Sequence, residues 1–137
     1  MNFKKNNTNK SVLYGFHAVR EAWLNEERVI EGLFLTDQSA KGFESTLQDA
    51  KNNGLRRPAP QMVDKKRLEK MVPQGAVHQG LALVSGGLPE QDIHDFIRRA
   101  DAKGSSVLVM LDQVTDPHNV GAIMRSASAF GASGLIM

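Results

Sequence analysis

VLVMLDQVTDPHNVGAIMRSASAFGA, residues 107–132, is the stretch on which the fold turns. Val107 to Leu111 is an apolar run without alternation, the pattern of a strand buried on both faces of a parallel sheet. A polar loop from Asp112 to His118 follows, and Asp116-Pro117 introduces a helix with a capping carboxylate and a proline in its first turn. Val120, Ile123, Met124 and Ala127 form the inward face of that helix, and Phe130-Gly131 ends it. Leu135-Ile136-Met137 then begins a second strand. A strand–helix–strand unit buries parallel strands only beneath further strands and helices, so the pattern predicts more of this domain beyond Met137.

Ligands of such sheets collect at the carboxyl ends of the strands, where the 112–118 loop lies. Asn119 and Arg125 stand near that loop. Gly121 permits close approach of a backbone or ligand, at a cost of about 1 kcal/mol relative to alanine inside a helix. Spacing alone fits two arrangements. One is a site at the loop. The other is a helix capped by Asp116, with an ion pair for Arg125 and mere packing space at Gly121.

Working outward, Ser85-Gly86-Gly87 reads as a linker, and Pro89 suits a first helical turn. Ile93, Phe96, Ile97 and Ala100 share one helical face, and Gly104 closes that helix. Further upstream, Phe16, Val19 and Trp23, with Ala22 beside them, predict a helix from Gly15. Gly32 to Leu35 reads as a short buried strand. Phe43, Leu47 and Ala50 mark a second helix, with Gly54 as its left-handed cap. Pro58 and Pro60 delay strand pairing to Gln61-Met62-Val63, and Asp64 caps a short helix carrying Lys65, Lys66, Arg67 and Lys70. Leu81 to Val84 is another strand. Strands and helices alternating on this scale predict a small layered α/β domain over residues 12–85. A mobile, Asn- and Lys-rich tail (1–11) precedes it; a linker with a helix (86–104) and the start of a second α/β domain (105–137) follow.

Composition narrows the functional classes. There is no cysteine, which excludes disulfides and thiolate metal sites, and no histidine pair has zinc-site spacing, so no metal is expected. No apolar run approaches the roughly 20 residues of a membrane span, and no signal-peptide core follows the basic start, so cytoplasm is the expected compartment. Residues 1–70 hold 13 Lys and Arg against 9 Asp and Glu, whereas residues 71–137 hold 4 against 6. A basic front half suits an anionic partner such as RNA. Arg56, Arg57, Lys65, Lys66, Arg67 and Lys70 are the candidate phosphate contacts, with a merely solvated surface as the alternative. The helical spacing of Phe16 and Trp23 favours core packing over base stacking.

The string LDQVTDPHNVGAIMRSASAFGA (111–132) resembles the first signature motif of the SpoU (TrmH) family of RNA 2′-O-methyltransferases, within the SPOUT superfamily. YGFHAVREAW (14–23) and VHQGLALV (77–84) resemble the two signatures of that family's N-terminal substrate-binding domain, which is similar to small ribosomal proteins that bind kinked RNA. The resemblance implies an RNA-binding α/β domain, then the first βα units of an α/β-knot catalytic domain. It implies S-adenosylmethionine as methyl donor and a guanosine 2′-hydroxyl of large-subunit ribosomal RNA as acceptor. It also implies a homodimer in the full-length enzyme. The family's Asn falls at Asn119 and its catalytic Arg at Arg125, while His78 and Gln79 fall in the RNA-binding signature. The segments that hold most of the methyl donor are expected after Met137, so this stretch is expected to be inactive alone. A free-standing RNA-binding module is the rival class.

A ribose hydroxyl is a poor nucleophile until its developing charge is stabilised. Guanidinium, with a pKa above roughly 12, is an awkward base. Arg125 is therefore expected to grip a phosphate and stabilise an incipient alkoxide, with Asn119 ordering the loop or supporting Arg125.

Overall fold

The computed structural model describes residues 10–88, 92–102 and 104–137, which fall into two compact units, 1–89 and 90–137. Most of the expected tail and Pro89 lie outside the described residues.

The first unit is a four-stranded mixed sheet: β1 (Ser11–Tyr14), β2 (Ile30–Leu35), β3 (Gln61–Met62) and β4 (Leu81–Ser85). The order is β1-β4-β2-β3; β4 runs antiparallel to β1 and β2, and β2 runs parallel to β3. Helices α1 (Phe16–Leu24), α2 (Asp37–Asn52) and α3 (Lys65–Glu69) complete the unit. Leu33 and Leu35 of β2 and Leu81 and Leu83 of β4 alternate onto one sheet face. There they meet Val19, Ala22 and Trp23 of α1 and Phe43 and Ala50 of α2. Burying each large side chain of this cluster stabilises the unit by roughly 1.5–3 kcal/mol.

Local rules set the element ends. Thr36 accepts from the Ser39 amide while the Ser39 side chain returns a bond to the Thr36 backbone, a reciprocal cap that starts α2. At its other end Gly54 takes φ +69°, its N–H donates to Lys51, and Leu55 donates to Ala50. That is the left-handed closure expected of Gly54. Asp64 caps α3 by accepting from the Arg67 amide at 2.7 Å. Pattern and structure part at two places. Residues 11–14 form a strand on the sheet edge, too short and too exposed to announce itself by alternation. Ser85 is no linker: it ends β4, is wholly buried, and accepts a hydrogen bond from Arg28.

The second unit pairs β5 (Leu108–Met110) with β6 (Gly134–Ile136) in parallel, joined through α5 (Pro117–Ala129) and preceded by α4 (Ile93–Asp101). Asp116 caps α5 by accepting from the His118 amide, and Pro117 fills the first helical position. Gly131, at φ +76°, closes it: Gly131 donates to Ser128 and Ala132 to Ala127. A Cβ on Gly134 would sit 2.7 Å from the Phe96 ring and 3.1 Å from Leu108, so α4 packs closely on this face of the sheet. Val107 and Val109 face α5 across an apolar hollow of about 410 Å3. Of the run read as a strand buried on both faces, Val107, Leu108 and Met110 are exposed and Val109 is half-buried in this two-stranded unit. Met124 also lies outside the inward face of α5, at 48% exposure, leaving Val120, Ile123 and Ala127 half-buried.

Candidate functional site

In the first unit, a groove of about 780 Å3 runs along the sheet edge where β2 and β3 end and β4 begins. Three chain segments line it: Thr36–Ser39 at the start of α2, Val63–Lys65 at the start of α3, and Ala76–Gly80 before β4. Residues 77–80 tie these together. Gln79, at φ +52°, accepts a hydrogen bond from the Phe16 amide at 2.8 Å and so caps α1. The Gly80 carbonyl accepts from the Thr36 amide (3.0 Å) and the Ser39 hydroxyl (2.7 Å). The His78 Nδ1 accepts from the Gly80 amide at 3.0 Å, which leaves the proton of a neutral ring on Nε2. His78 Nε2–H and the Gln79 amide N–H groups are then the donors this loop retains for a ligand.

Gly80 is indispensable to that junction. A Cβ there would lie 2.5 Å from the Thr36 hydroxyl, and the residue holds φ +80°. Gly80→Ala is therefore expected to cost about 1–2 kcal/mol from the left-handed backbone alone. Thermal melting checks this; an unchanged midpoint contradicts it.

The six candidate cations do not act alike. Lys65 lines the groove and pairs loosely with Glu69 at 3.8 Å. Lys66, Arg67 and Lys70 continue the exposed surface of α3 and have no ion pair among the described residues. Arg56 is exposed but does not line the groove. Arg57 is a correction. Its guanidinium donates to the carbonyls of Trp23 (2.7 Å), Asn25 (2.6 Å) and Arg28 (3.0 Å), and lies 6.0 Å from the Trp23 ring centroid. Burial holds its pKa below the ordinary value. Its donors go to closing the turn after α1, so it is not a free phosphate ligand. Trp23, 2% exposed, is core, and Phe16 packs edge-on against Phe43. Neither is presented for base stacking. His17 and His94 are exposed helix residues.

In the second unit, the loop after β5 leads into α5. Arg125 is exposed and has no hydrogen bond or ion pair among the described residues, so the ion pair that spacing allowed is absent. Its Nη1 lies back over Gly121, 3.6 Å from where a Cβ would stand. Asn119 and His118 are exposed beside the loop, and no hydrogen bond is described between Asn119 and Arg125. Gln79 and Gln113 are the non-glycine residues with positive φ among those described, one in each candidate loop. Left-handed backbone at ordinary residues often accompanies functional loops.

Thr36, Asp37, Gln38, Ser39, Val63 and Asp64 were not foreseen as groove residues. The capping pattern Thr36-x-x-Ser39 was readable, but nothing local says that it faces residues 76–80.

A family model described as RNA 2′-O ribose methyltransferase substrate binding matches residues 12–91, and one described as SpoU rRNA methylase matches residues 106–137. The chain is 35% identical over 129 residues to an uncharacterised tRNA/rRNA methyltransferase of Synechocystis, covering 92% of this chain and 32% of that protein. It is 33% identical over 126 residues to a 23S rRNA (guanosine-2′-O-)-methyltransferase of Haemophilus influenzae, covering 91% and 50%. Its identity to the Pasteurella multocida enzyme of the same description is 34% over 127 residues, again covering 91% and 50%. The chain thus spans a third to a half of the length of these curated relatives. With the groove-forming unit inside the first match, the chain belongs to the RNA 2′-O ribose methyltransferase substrate-binding family of SpoU-type proteins.

Proposed function

We propose that this chain supplies the RNA-binding domain and the opening of the catalytic domain of an S-adenosylmethionine-dependent RNA 2′-O-methyltransferase, acting on a guanosine of ribosomal RNA. The working division is residues 12–85 for RNA, 86–104 as connector and 105–137 for the start of the methyltransferase domain. The enzyme works as a cytoplasmic homodimer. The observation that carries the proposal is the exposed Arg125 guanidinium on α5, which has no ion pair among the described residues, on a chain whose other unit has a donor-bearing groove edged by basic α3. A module that only binds RNA has no use for residues 106–137, which match the SpoU rRNA methylase model.

The hollow between β5 and α5 does not by itself hold the methyl donor. The hollow there is lined by apolar side chains with Ser126 as its one hydroxyl, and has no carboxylate to meet a sulfonium. No residue of this chain is assigned to the donor. What the chain supplies is the acceptor side. His78 Nε2–H and Gln79 hydrogen-bond the RNA, Lys65, Lys66, Arg67 and Lys70 hold its phosphates, and Arg125 takes the charge that develops on the ribose oxygen. Asn119 orders the loop through which the ribose approaches.

Affinity of this chain for a structured ribosomal RNA fragment is expected to fall steeply between 50 and 200 mM salt. Each alanine at Lys66, Arg67 or Lys70 should reduce the salt slope by about 1. Fluorescence anisotropy across a salt series reads both. A salt-independent affinity, or slopes indifferent to all three substitutions, removes the basic face from the interface. Transfer of labelled methyl to ribosomal RNA by the longer enzyme tests the activity.

A further inference from the structure

We propose, resting on the RNA-binding reading above, that the groove of the first unit takes one unstacked guanine base and that Asp37 selects it. The groove is built entirely within the stretch that matches the substrate-binding model, its lining running from Thr36 to Gly80. Its volume of about 780 Å3 falls in the ordinary range of small-ligand sites, roughly 300–1,000 Å3. The lining groups are unequally committed. Thr36 and Ser39 are spent on each other and on Gly80. One Asp64 oxygen accepts from the Arg67 amide, and Lys65 pairs with Glu69. The Asp37 carboxylate, at the first position of α2, is exposed and has no hydrogen bond or ion pair among the described residues. His78 Nε2–H and the Gln79 amide remain as donors, and Val77 beside them is 77% exposed.

An acceptor, two donors and an exposed apolar side chain in one groove fit a base better than a phosphate. The carboxylates of Asp37 and Asp64 repel an anion, while Lys66, Arg67 and Lys70, which do not line the groove, suit the backbone. No group of three His, Asp or Glu able to hold a metal ion occurs among the described residues. RNA sequence is read chiefly at bases splayed out of the stack, by their Watson–Crick edges. On that edge guanine alone presents two adjacent N–H donors, the pattern a carboxylate accepts with both oxygens. Uracil flanks its single N–H with carbonyls, and adenine and cytosine set a bare ring nitrogen beside their amino group. The remaining guanine oxygen needs a donor, for which the groove has His78 Nε2–H and the Gln79 amide. The base is read as an anchor within the first unit, and methyl transfer is not required for its recognition. An acidic residue in a first helical turn also complements the helix dipole, but that role has no preference among bases.

The test is an NMR titration of this chain at low salt with short uridine oligomers carrying one central guanosine, inosine, adenosine or uridine. The guanosine oligomer is expected to bind about tenfold more tightly than the inosine oligomer, which lacks the amino group. It should also shift the amides of Asp37, Val77 and Gln79. Asp37→Asn replaces one acceptor with a donor. It should erase the tenfold preference and let adenosine overtake guanosine, with the salt dependence of binding unchanged. Thermal melting verifies the fold of the variant, and the guanosine–inosine comparison tests the unmodified chain as well. Binding without preference for guanosine, or a preference that survives Asp37→Asn, overturns the role of Asp37 and leaves the basic face of α3 as an RNA surface. Oligomers that shift no amide at low salt overturn the RNA-binding reading itself.

Discussion

Arg125→Ala in the proposed full-length methyltransferase is expected to lower single-turnover methyl transfer by about two to three powers of ten, leaving the fold intact. The size follows from removing one preorganised donor at a developing oxyanion, about 2.7–4 kcal/mol. The selectivity follows from position. Arg125 is exposed, away from the half-buried Val120, Ile123 and Ala127, and carries no ion pair among the described residues, so truncation opens no core cavity and orphans no described partner. Arg125→Lys should restore only part of the rate, since a point charge lacks the two-pronged donor geometry suited to a phosphate. Retention of more than about a tenth of the rate, a loss below about 1.4 kcal/mol, would rule out catalysis by this residue. A melting point far below that of the parent would instead make it a structural residue of α5.

Arg57→Ala should do the opposite: a large loss of stability with little effect on RNA electrostatics. The guanidinium closes three carbonyls, from Trp23, Asn25 and Arg28, and lies against the Trp23 ring. Hydrogen bonds from a charged donor contribute about 1.5–3 kcal/mol each, but water can reach carbonyls at a half-exposed turn. A net loss of about 2–4 kcal/mol is therefore expected, the upper range for single substitutions. In a unit of this size that lowers the melting midpoint by roughly ten degrees or more. Arg57→Lys should recover little, because one ammonium cannot reach three carbonyls held by a planar fork. Chemical denaturation measures the loss, and the salt slope of RNA binding, read at a temperature where the variant is folded, should not change. A drop of one in that slope with normal stability would return Arg57 to the RNA interface.

The contrast between Arg56 and Arg57 shows where local pattern stops. In sequence they are adjacent and chemically identical; in the fold one is exposed and the other spends its donors on carbonyls 29 to 34 positions away. Gln79 is similar, with its cap on Phe16 spanning 63 positions. Periodicity reports which face of an element is apolar; it carries no information on which distant backbone groups end up unpaired and in need of a donor.

The sequence by itself determined the order and type of most elements, since apolar spacing, Asp64, Asp116-Pro117, Gly54 and Gly131 act within a few residues of where they stand. It also determined family, because the 111–132, 14–23 and 77–84 strings survive as contiguous text. Tertiary structure alone decided that residues 36–39, 63–65 and 76–80 form one groove, and that Ser85 belongs to a buried strand. It alone decided that Met124 is exposed and that the Arg125 guanidinium lies over Gly121. The physical reason is common to all of these: strand pairing and side-chain closure join positions whose separation along the chain is set by the whole fold, while capping and periodicity are settled within one or two turns.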